Sequence, residues 1–240
     1  MSAGKLYLAP VLLGETGPAD SIPAGVQSRL RGLRRFIAEG PKNARAFLKA
    51  IGHPGPLADL AIEELSADAD PEELGRLLAP VQAGADAAVL SEAGAPGIAD
   101  PGALLVRRAH DAGIRVIPLV GPSAILLALM ASGLDGQRFA FHGYLPVPDK
   151  ALGGRLKALE GDSRRERRTE IFIETPYRND RLLRAILSTC ADSTLLCLAT
   201  DLTLPTEEIA TRTIAAWRAA RAQIGKRPTV FLLLAAAPGR

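Results

Sequence analysis

Residue types that define several common protein classes are scarce in this sequence of 240 residues. Aromatic side chains make up 4% of it although hydrophobic residues make up 48%, so we expect an aliphatic core of the kind found in α/β proteins. Two cysteines, Cys190 and Cys197, are too few for a disulfide framework and are not spaced as CxxC, which predicts buried, reduced thiols. The histidines, His53, His110 and His142, lack metal-ligand spacing, so no metal site is predicted.

Long hydrophobic runs are missing as well. The longest, AILLALMASG, is too short to cross a bilayer, and the N-terminal MSAGKLYLAPVLLGE lacks a signal-peptide cleavage pattern. We therefore expect a soluble, cytoplasmic protein without a membrane partner. The net charge of +3 is compatible with a polyanionic partner but does not require one.

The motifs of three large enzyme groups are also lacking. There is no GxGxxG, no GK[ST] and no GxSxG in the chain. A nicotinamide-dependent oxidoreductase is therefore weakly supported, and a P-loop is not predicted. Ser91 and Ser123 are better explained as turn and capping residues than as nucleophiles.

The clearest positive pattern is a strand–helix–strand unit between residues 87 and 117. Its first strand, AAVL, leads into the loop SEAGAPGIADPG, in which Asp100 is the expected helix N-cap and Pro101 the first helical residue. The helix stops before Gly113, and IRVI forms the second strand. Such a unit predicts parallel strands.

Further elements extend this α/β pattern over the whole chain. We expect a first strand at 6–13, a helix or strand pair at 26–36, and helices in PKNARAFLKAI and, with Asp70 as N-cap, DPEELGRLLAPVQAG. Residues 124–132 are apolar nearly all round, which predicts a helix buried on most sides. In the second half we expect strands in RFAFHGYLP, TEIFIETPY, TLLCLAT and TVFLLLAAA and helices in NDRLLRAILSTC and TRTIAAWRAARAQIG.

The predicted organisation is two α/β domains, 1–118 and 119–240, with the boundary near Pro118. Two loops rich in glycine and proline, 91–102 and 121–123, each follow a strand of the same unit. Both should therefore lie at the carboxyl edge of a parallel sheet, where open α/β folds bind ligands. Simple strand termination is the alternative. Without a phosphate-cradling motif, a nucleoside-type ligand fits these loops better than a nucleotide.

Two other segments have both a functional and a structural interpretation. In IFIETPYRND, Glu174, Tyr177 and Arg178 follow an apolar strand, as in a substrate pocket; the alternative is a turn capped by Asn179 or Asp180. There are two basic runs, 163–168 (SRRERR) and 29–35. Each is either solvated surface or a set of phosphate contacts for RNA. As solvated surface, the run 163–168 is predicted to be a loop.

Taken together, SEAGAPGIADPG, GIRVIPLVGPSAILLALMASGL, RFAFHGYLP and FIETPYR resemble the tetrapyrrole-methylase superfamily of S-adenosylmethionine-dependent methyltransferases. They are most similar to its branch of ribosomal RNA small subunit methyltransferase I. The resemblance is strong from about residue 87 to 180 and continues more thinly towards the C-terminus. It implies two α/β domains with S-adenosylmethionine in the cleft between them, a homodimer, and ribosomal RNA or the small ribosomal subunit as partner.

The resemblance also implies which positions lie near the cofactor and the acceptor. The implied cofactor neighbours are Leu12, Leu13, Gly94, Ala95, Pro96, Gly97, Ile98, Ser123, Ala124, Thr175, Ala199, Pro228 and Thr229. If a ribose hydroxyl is the acceptor, it needs a base. Our hypothesis assigns this role to Glu174 or, as the second candidate, Glu92, with Tyr177 and Arg178 orienting the acceptor.

Three segments depart from the pattern of that branch. APVLLGE stands in place of a TPIGN-like loop, AEGPKNAR in place of an AEDTR-like segment, and LTLPTEE in place of an LTK-x-FEE-like one. All three are expected to face the acceptor. A methyltransferase of a tetrapyrrole or other small molecule therefore stays open as an alternative, as does a non-catalytic module that binds RNA or a protein partner.

Overall fold

The computed structural model describes residues 3–235 and divides into two compact units, with the division between Ser123 and Ala124. The predicted boundary at Pro118 falls at the end of the last strand of the first unit. The segment that follows this strand still belongs to the first unit, since Leu119 N donates to the carbonyl oxygen of Leu8. Each unit contains one five-stranded sheet with helices packed against it, so the predicted α/β class is confirmed.

The first unit alternates strands and helices. Its elements are β1 (Lys5–Ala9), α1 (Ala24–Arg31), β2 (Arg35–Ala38), α2 (Pro41–Ala50), β3 (Ala61–Glu64), α3 (Pro71–Gln82), β4 (Ala87–Leu90), α4 (Gly102–Asp111) and β5 (Arg115–Pro118). All pairings in the sheet are parallel, in the order β3-β2-β4-β1-β5. One hydrophobic core includes residues of α1 and α2, and a second includes residues of α3 and α4. The carboxyl ends of the strands therefore share one edge.

Several predicted elements of the first unit are confirmed, and others need correction. Asp70 caps α3 by accepting a hydrogen bond from Glu73 N at 2.8 Å. The first strand is shorter than predicted because Pro10 cannot continue it, and residues 26–36 form the end of a helix followed by the start of a strand. Asp100 is not the N-cap: Pro101 holds that position, although the Asp100 carboxylate still accepts from Gly102 N at 2.7 Å.

The second unit begins with a helix and contains a mixed sheet. Its elements are α5 (Ala124–Ser132), β6 (Phe139–Tyr144), α6 (Asp149–Glu166), β7 (Thr169–Ile173), α7 (Asn179–Thr189), β8 (Leu195–Thr200), β9 (Glu208–Thr213), α8 (Ile214–Ala220) and β10 (Thr229–Leu234). The order is β6-β7-β10-β8-β9, in which only β6 and β7 are parallel. Phe172 and Phe231 stack at 5.8 Å in the core between the sheet and α6 and α7.

Three predictions for the second unit are wrong. Residues 163–166 form the last turn of α6, whose C-cap is Arg167, so the run SRRERR is not a loop. α5 is not buried on most sides, since Leu126 is 50% and Met130 79% exposed. The predicted helix in TRTIAAWRAARAQIG begins only at Ile214, after the strand β9, which was not predicted.

The remaining expectations concern thiols, metals and membranes. Cys190 and Cys197 are free and buried, as predicted, and burial raises the pKa of Cys190 to about 12. Within residues 3–235, no group of His, Cys, Asp and Glu is arranged to hold a metal ion. No helix in this range has the length and hydrophobicity of a membrane span. The last residues of the predicted final strand, 236 and 237, lie outside the described residues.

Candidate active site

Loops that follow β1, β4 and β5 converge on Gly94. The carbonyl oxygen of Gly94 accepts hydrogen bonds from Val11 N at 2.9 Å and from Ser91 Oγ at 2.8 Å. A Cβ atom at position 94 would lie 3.0 Å from Leu13 Cδ2 and 3.5 Å from the carbonyl oxygen of Pro122, and φ here is +74°. Only glycine fits this position without strain. Of the predicted cofactor residues, the fold thus brings Leu13, Gly94 and Ser123 together.

The rest of the 91–102 loop is shaped by Asp100. Its Oδ1 accepts hydrogen bonds from Gly97 N at 2.8 Å and Gly102 N at 2.7 Å. A Cβ atom at Gly97, whose φ is +83°, would meet nothing within 4 Å, and the Ile98 side chain is exposed. Burial raises the pKa of Asp100, and its Oδ2 is buried without a hydrogen-bond partner in the described structure. The loop therefore leaves open space beside the Cα atom of Gly97.

A cavity of about 400 Å³ lies at the same sheet edge. Its walls come from the loop 11–16, from α2 and from the start of the loop after β4. Leu12, Leu13 and Phe47 form much of an apolar wall, and Asn43 and Glu92 contribute polar groups. Residues from two of the segments that depart from the branch pattern, APVLLGE and AEGPKNAR, line this one cavity.

The carboxylate of Glu92 lies at the cavity wall near the start of α2. Its Oε1 lies 3.4 Å from Asn43 Nδ2, and a Cβ atom at Gly40 would lie 2.7 Å from the same oxygen. Glu92 N donates to Glu39 Oε2 at 3.2 Å. Burial is the largest cause that raises the pKa of Glu39, and the charges of Asp100 and Glu92 add to it. The strand ends therefore carry a group of acidic side chains, with Glu92 the exposed one at the cavity.

Neither Asn43 nor Phe47 is among the residues predicted from the sequence. They lie on α2, which follows β2 and covers the cavity from one side. The one available signal is the departure of AEGPKNAR from the pattern of the branch. That departure indicates a changed acceptor region but does not identify which of its side chains line a cavity.

The predicted residues of the second unit also gather at one sheet edge. Glu174 and Thr175 follow β7, Ala199 is near the end of β8, and Pro228 and Thr229 are at the start of β10. Antiparallel pairing places Val230 opposite Ile173 and Thr229 opposite Thr200. These five residues therefore occupy the same edge of the second sheet. Their role near a cofactor stays a prediction.

Glu174 and Arg178 form an ion pair at this second edge. Glu174 Oε1 accepts from an Arg178 guanidinium nitrogen and from Thr175 N, each at 2.6 Å. The Glu174 side chain is 7% exposed. The hydrogen bond between Arg178 and Glu174 is the main cause that raises the pKa of Arg178. Tyr177, in contrast, is 80% exposed. The carboxylate thus holds Arg178 in place.

The alternative caps in this segment are wrong. Asn179 is buried, and its Nδ2 donates to the carbonyl oxygen of Arg227 at 2.7 Å. Asp180 accepts from Ile224 N at 2.8 Å and from Gly225 N at 3.2 Å. Both side chains therefore fasten the 224–227 loop to the start of α7 instead of capping the helix.

Many arginines of the two basic runs are paired within the chain. Arg165 pairs with Asp162 and Glu166, and Arg168 pairs with Glu170, which is fully buried. In the other run, the Arg29 guanidinium lies 5.3 Å from the centre of the Tyr7 ring, and Arg35 pairs with Glu63. These contacts favour the structural interpretation for four of the eight arginines in the two runs.

The geometry of the first sheet edge fits S-adenosylmethionine. A Cβ atom would fill the narrow space at Gly94, whereas the space beside the Cα atom of Gly97 is open, so that a ligand can approach the main chain there although Gly97 N is bonded to Asp100. Leu12 and Leu13 at the cavity, and the exposed Ile98 in the loop after β4, offer apolar surface for a flat heterocycle. Backbone groups and apolar side chains, without a phosphate-binding glycine motif, suit a nucleoside-type ligand.

Comparison with known proteins establishes the family. The model of the tetrapyrrole (corrin/porphyrin) methylases matches residues 16–217. Ribosomal RNA small subunit methyltransferase I of Pseudomonas aeruginosa is 38% identical over 74% of this chain and 59% of its own length, and that of Escherichia coli O157:H7 is 35% identical over 87% and 68%. The structure of uroporphyrin-III C-methyltransferase from Thermus thermophilus complexed with S-adenosylhomocysteine superimposes with a TM-score of 0.56 at 14% identity, covering 96% of this chain and 97% of that one. This chain belongs to the tetrapyrrole methylases, a family of S-adenosylmethionine-dependent methyltransferases, as its motifs predicted.

Proposed function

We propose that this protein transfers a methyl group from S-adenosylmethionine to small-subunit ribosomal RNA, at a ribose 2′-hydroxyl. The observation that carries the proposal is the position of the Glu92 carboxylate on a cavity of about 400 Å³ at the sheet edge where the Gly94 loop lies. The names of the two relatives support RNA as the acceptor class. Such an acceptor is consistent with a cytoplasmic location.

The proposed mechanism assigns separate tasks to the chain's residues. When bound, S-adenosylmethionine supplies a methyl group that is already activated by its sulfonium, so alignment of donor and acceptor is the main requirement. The loop from Gly94 to Ile98 lies against the donor. A carboxylate accepts the proton of the ribose hydroxyl, which is a poor nucleophile while neutral.

Two carboxylates are candidates for that proton acceptor. Glu174 is committed to Arg178 and Thr175 through one oxygen and is largely buried. Glu92 is exposed and lines the cavity, and among residues 3–235 its carboxylate has one side-chain hydrogen-bond partner, Asn43 at 3.4 Å. We therefore propose that Glu92 accepts the proton of the ribose hydroxyl. Glu174 instead holds the guanidinium of Arg178 in position.

A small-molecule acceptor is the second candidate function. The apolar wall formed by Leu12, Leu13 and Phe47 favours it, because a charged RNA backbone gains little from such a surface. A tetrapyrrole would bury its rings against these side chains. Both acceptor classes use the same donor.

Two assays separate these functions. Calorimetric titration should show binding of S-adenosylhomocysteine and none of NAD; failure to bind S-adenosylhomocysteine would favour a non-catalytic module. Transfer of labelled methyl groups is then compared between ribosomal RNA from a strain that lacks the gene and an extract of small metabolites. Label in the RNA supports the proposal, and label in the extract alone supports the second candidate.

We also propose a homodimer. The apolar face of α5 supports it, since Leu126 and Met130 are 50% and 79% exposed. Sedimentation equilibrium should give twice the mass of the chain, and Met130→Glu should shift the mass towards the monomer. A wild-type protein that sediments as a monomer at all concentrations would refute this part of the proposal.

A further inference from the structure

Tyr177 and Lys226 form an exposed pair at the second sheet edge. The ammonium of Lys226 lies 5.1 Å from the centre of the Tyr177 ring, and the Tyr177 side chain is 80% exposed. With the cation over one face, the other face of the ring is open to solvent. A large aromatic side chain this exposed gains nothing from the core and is available for contact with another molecule.

Hydrogen bonds on both sides hold this pair in place. Arg178, next to Tyr177, is fixed by its ion pair with Glu174. The loop that carries Lys226 is fixed to α7 by Asn179, which donates to the carbonyl oxygen of Arg227, and by Asp180, which accepts from Gly225 N. Because the backbone on either side is already held by these contacts, the protein would lose little conformational entropy when a ligand binds here.

The charge distribution favours an anionic partner. Residues 124–240 carry a net charge of +5 (17 Lys and Arg against 12 Asp and Glu), whereas residues 1–123 carry −2 (12 against 14). Arg178, Arg181 and Arg227 each pair with a carboxylate. Within residues 3–235, Lys226 has no carboxylate at ion-pair distance, so its charge is available to a phosphate.

We propose that Tyr177 and Lys226 form a platform on which one unpaired base of the RNA acceptor stacks while Lys226 contacts a neighbouring phosphate. Bases of single-stranded RNA stack readily on tyrosine rings, and lysine neutralises the backbone without reading the sequence. An acidic polypeptide would use the charge of Lys226 but not the open ring face. The inference rests on the proposed function, since it assumes an RNA acceptor.

The test measures binding of a fluorescein-labelled, single-stranded RNA 12-mer by anisotropy over a range of salt concentrations. Tyr177→Ala should weaken binding about 5- to 150-fold, and Tyr177→Trp should restore most of the affinity. Lys226→Met should lower the slope of log K against log salt by about 0.7. Lys157→Met, a change of the same charge on an exposed part of α6, should leave the slope unchanged. Binding of S-adenosylhomocysteine by each variant verifies that it is folded.

The outcomes separate the inference from the proposed function. If the wild type methylates ribosomal RNA and Tyr177→Ala alters neither 12-mer affinity nor the KM for that RNA, the platform is wrong and the function stands. If the wild type neither binds the 12-mer nor methylates RNA, both fail. If polyglutamate of equal charge displaces the 12-mer, and Tyr177→Ala changes the affinity for neither polymer, the partner is an acidic polypeptide.

Discussion

Glycine at position 40 leaves the space in which the carboxylate of Glu92 lies. A Cβ atom there would be 2.7 Å from Glu92 Oε1, closer than such contacts allow. The absence of a side chain at position 40 and the placement of Glu92 on the cavity wall are therefore linked in this chain.

Gly40→Ala should lower the rate of methyl transfer about tenfold while leaving the fold intact. The added methyl group would push the flexible Glu92 side chain away from Asn43, and the φ of −128° at position 40 suits alanine. The measurement is kcat for methyl transfer beside the affinity for S-adenosylhomocysteine, which should stay within twofold. Gly25→Ala in α1 is the matched control, because its methyl group meets nothing within 4 Å. Full kcat in Gly40→Ala would show that the position of Glu92 has no role.

The two carboxylate variants should differ in kind. Glu92→Gln removes the proposed proton acceptor and should lower kcat about 100-fold or more at neutral pH. Glu174→Gln weakens the ion pair with Arg178 and should act mainly on KM for the acceptor. Steady-state kinetics with ribosomal RNA from a strain that lacks the gene distinguishes them. Near-normal kcat in Glu92→Gln together with a large loss in Glu174→Gln would reverse the assignment.

Substitutions of Gly94 and Gly97 should separate the cost of backbone strain from the cost of steric contact with neighbouring residues. Gly94→Ala and Gly97→Ala both force alanine into positive φ, which costs about 1–2 kcal/mol of stability. Only Gly94→Ala also crowds Leu13 and Pro122, so thermal unfolding should show the larger loss for this variant. Both should weaken binding of S-adenosylhomocysteine in calorimetry. Unchanged affinity in both variants would place the cofactor elsewhere.

Asp100 should make stability depend on pH in a defined direction. Burial raises its pKa, so the folded chain holds this proton more tightly than the unfolded chain. The free energy of unfolding therefore falls as pH rises through the raised pKa. Asp100→Asn should remove this pH-dependent loss of unfolding free energy. The side-chain oxygen of the asparagine can still accept hydrogen bonds from Gly97 N and Gly102 N.

Urea unfolding at about pH 4 and about pH 7 measures this effect. The stability of Asp100→Asn relative to the wild type should be greater at the higher pH. Asp68→Asn, at an exposed carboxylate, controls for the loss of one acidic side chain. A relative stability of Asp100→Asn that stays constant or declines with pH would contradict the expected direction.

Local patterns were sufficient to predict much of the fold. Asp70 and Pro71 start α3 through a cap that the sequence alone specifies, and the AAVL and IRVI strands follow from apolar runs between turn residues. The strand β9 was missed because its residues EIATRT lack a hydrophobic run; it exists through pairing with β8. The charges of the run SRRERR predict a solvated loop, but α6 extends into this run.

At the candidate site, the sequence indicates backbone conformation better than side-chain contacts. Gly94 and Gly97 stand out in the sequence because glycine adopts a positive φ at little steric cost. The contact between Glu92 and Asn43, and the pair Tyr177 and Lys226, depend on residues 49 positions apart in both cases. Such contacts arise from sheet pairing and loop placement, for which a single sequence has no local signal.

The most direct test of the proposed function is transfer of labelled methyl groups from S-adenosylmethionine to small-subunit ribosomal RNA from a strain that lacks the gene. We expect label in the RNA, in a dinucleotide that resists alkaline hydrolysis because its 2′-hydroxyl is methylated. RNA from the parent strain should accept far less. Absence of label from the RNA, with label in a small-molecule extract and normal binding of S-adenosylhomocysteine, would contradict the proposed acceptor.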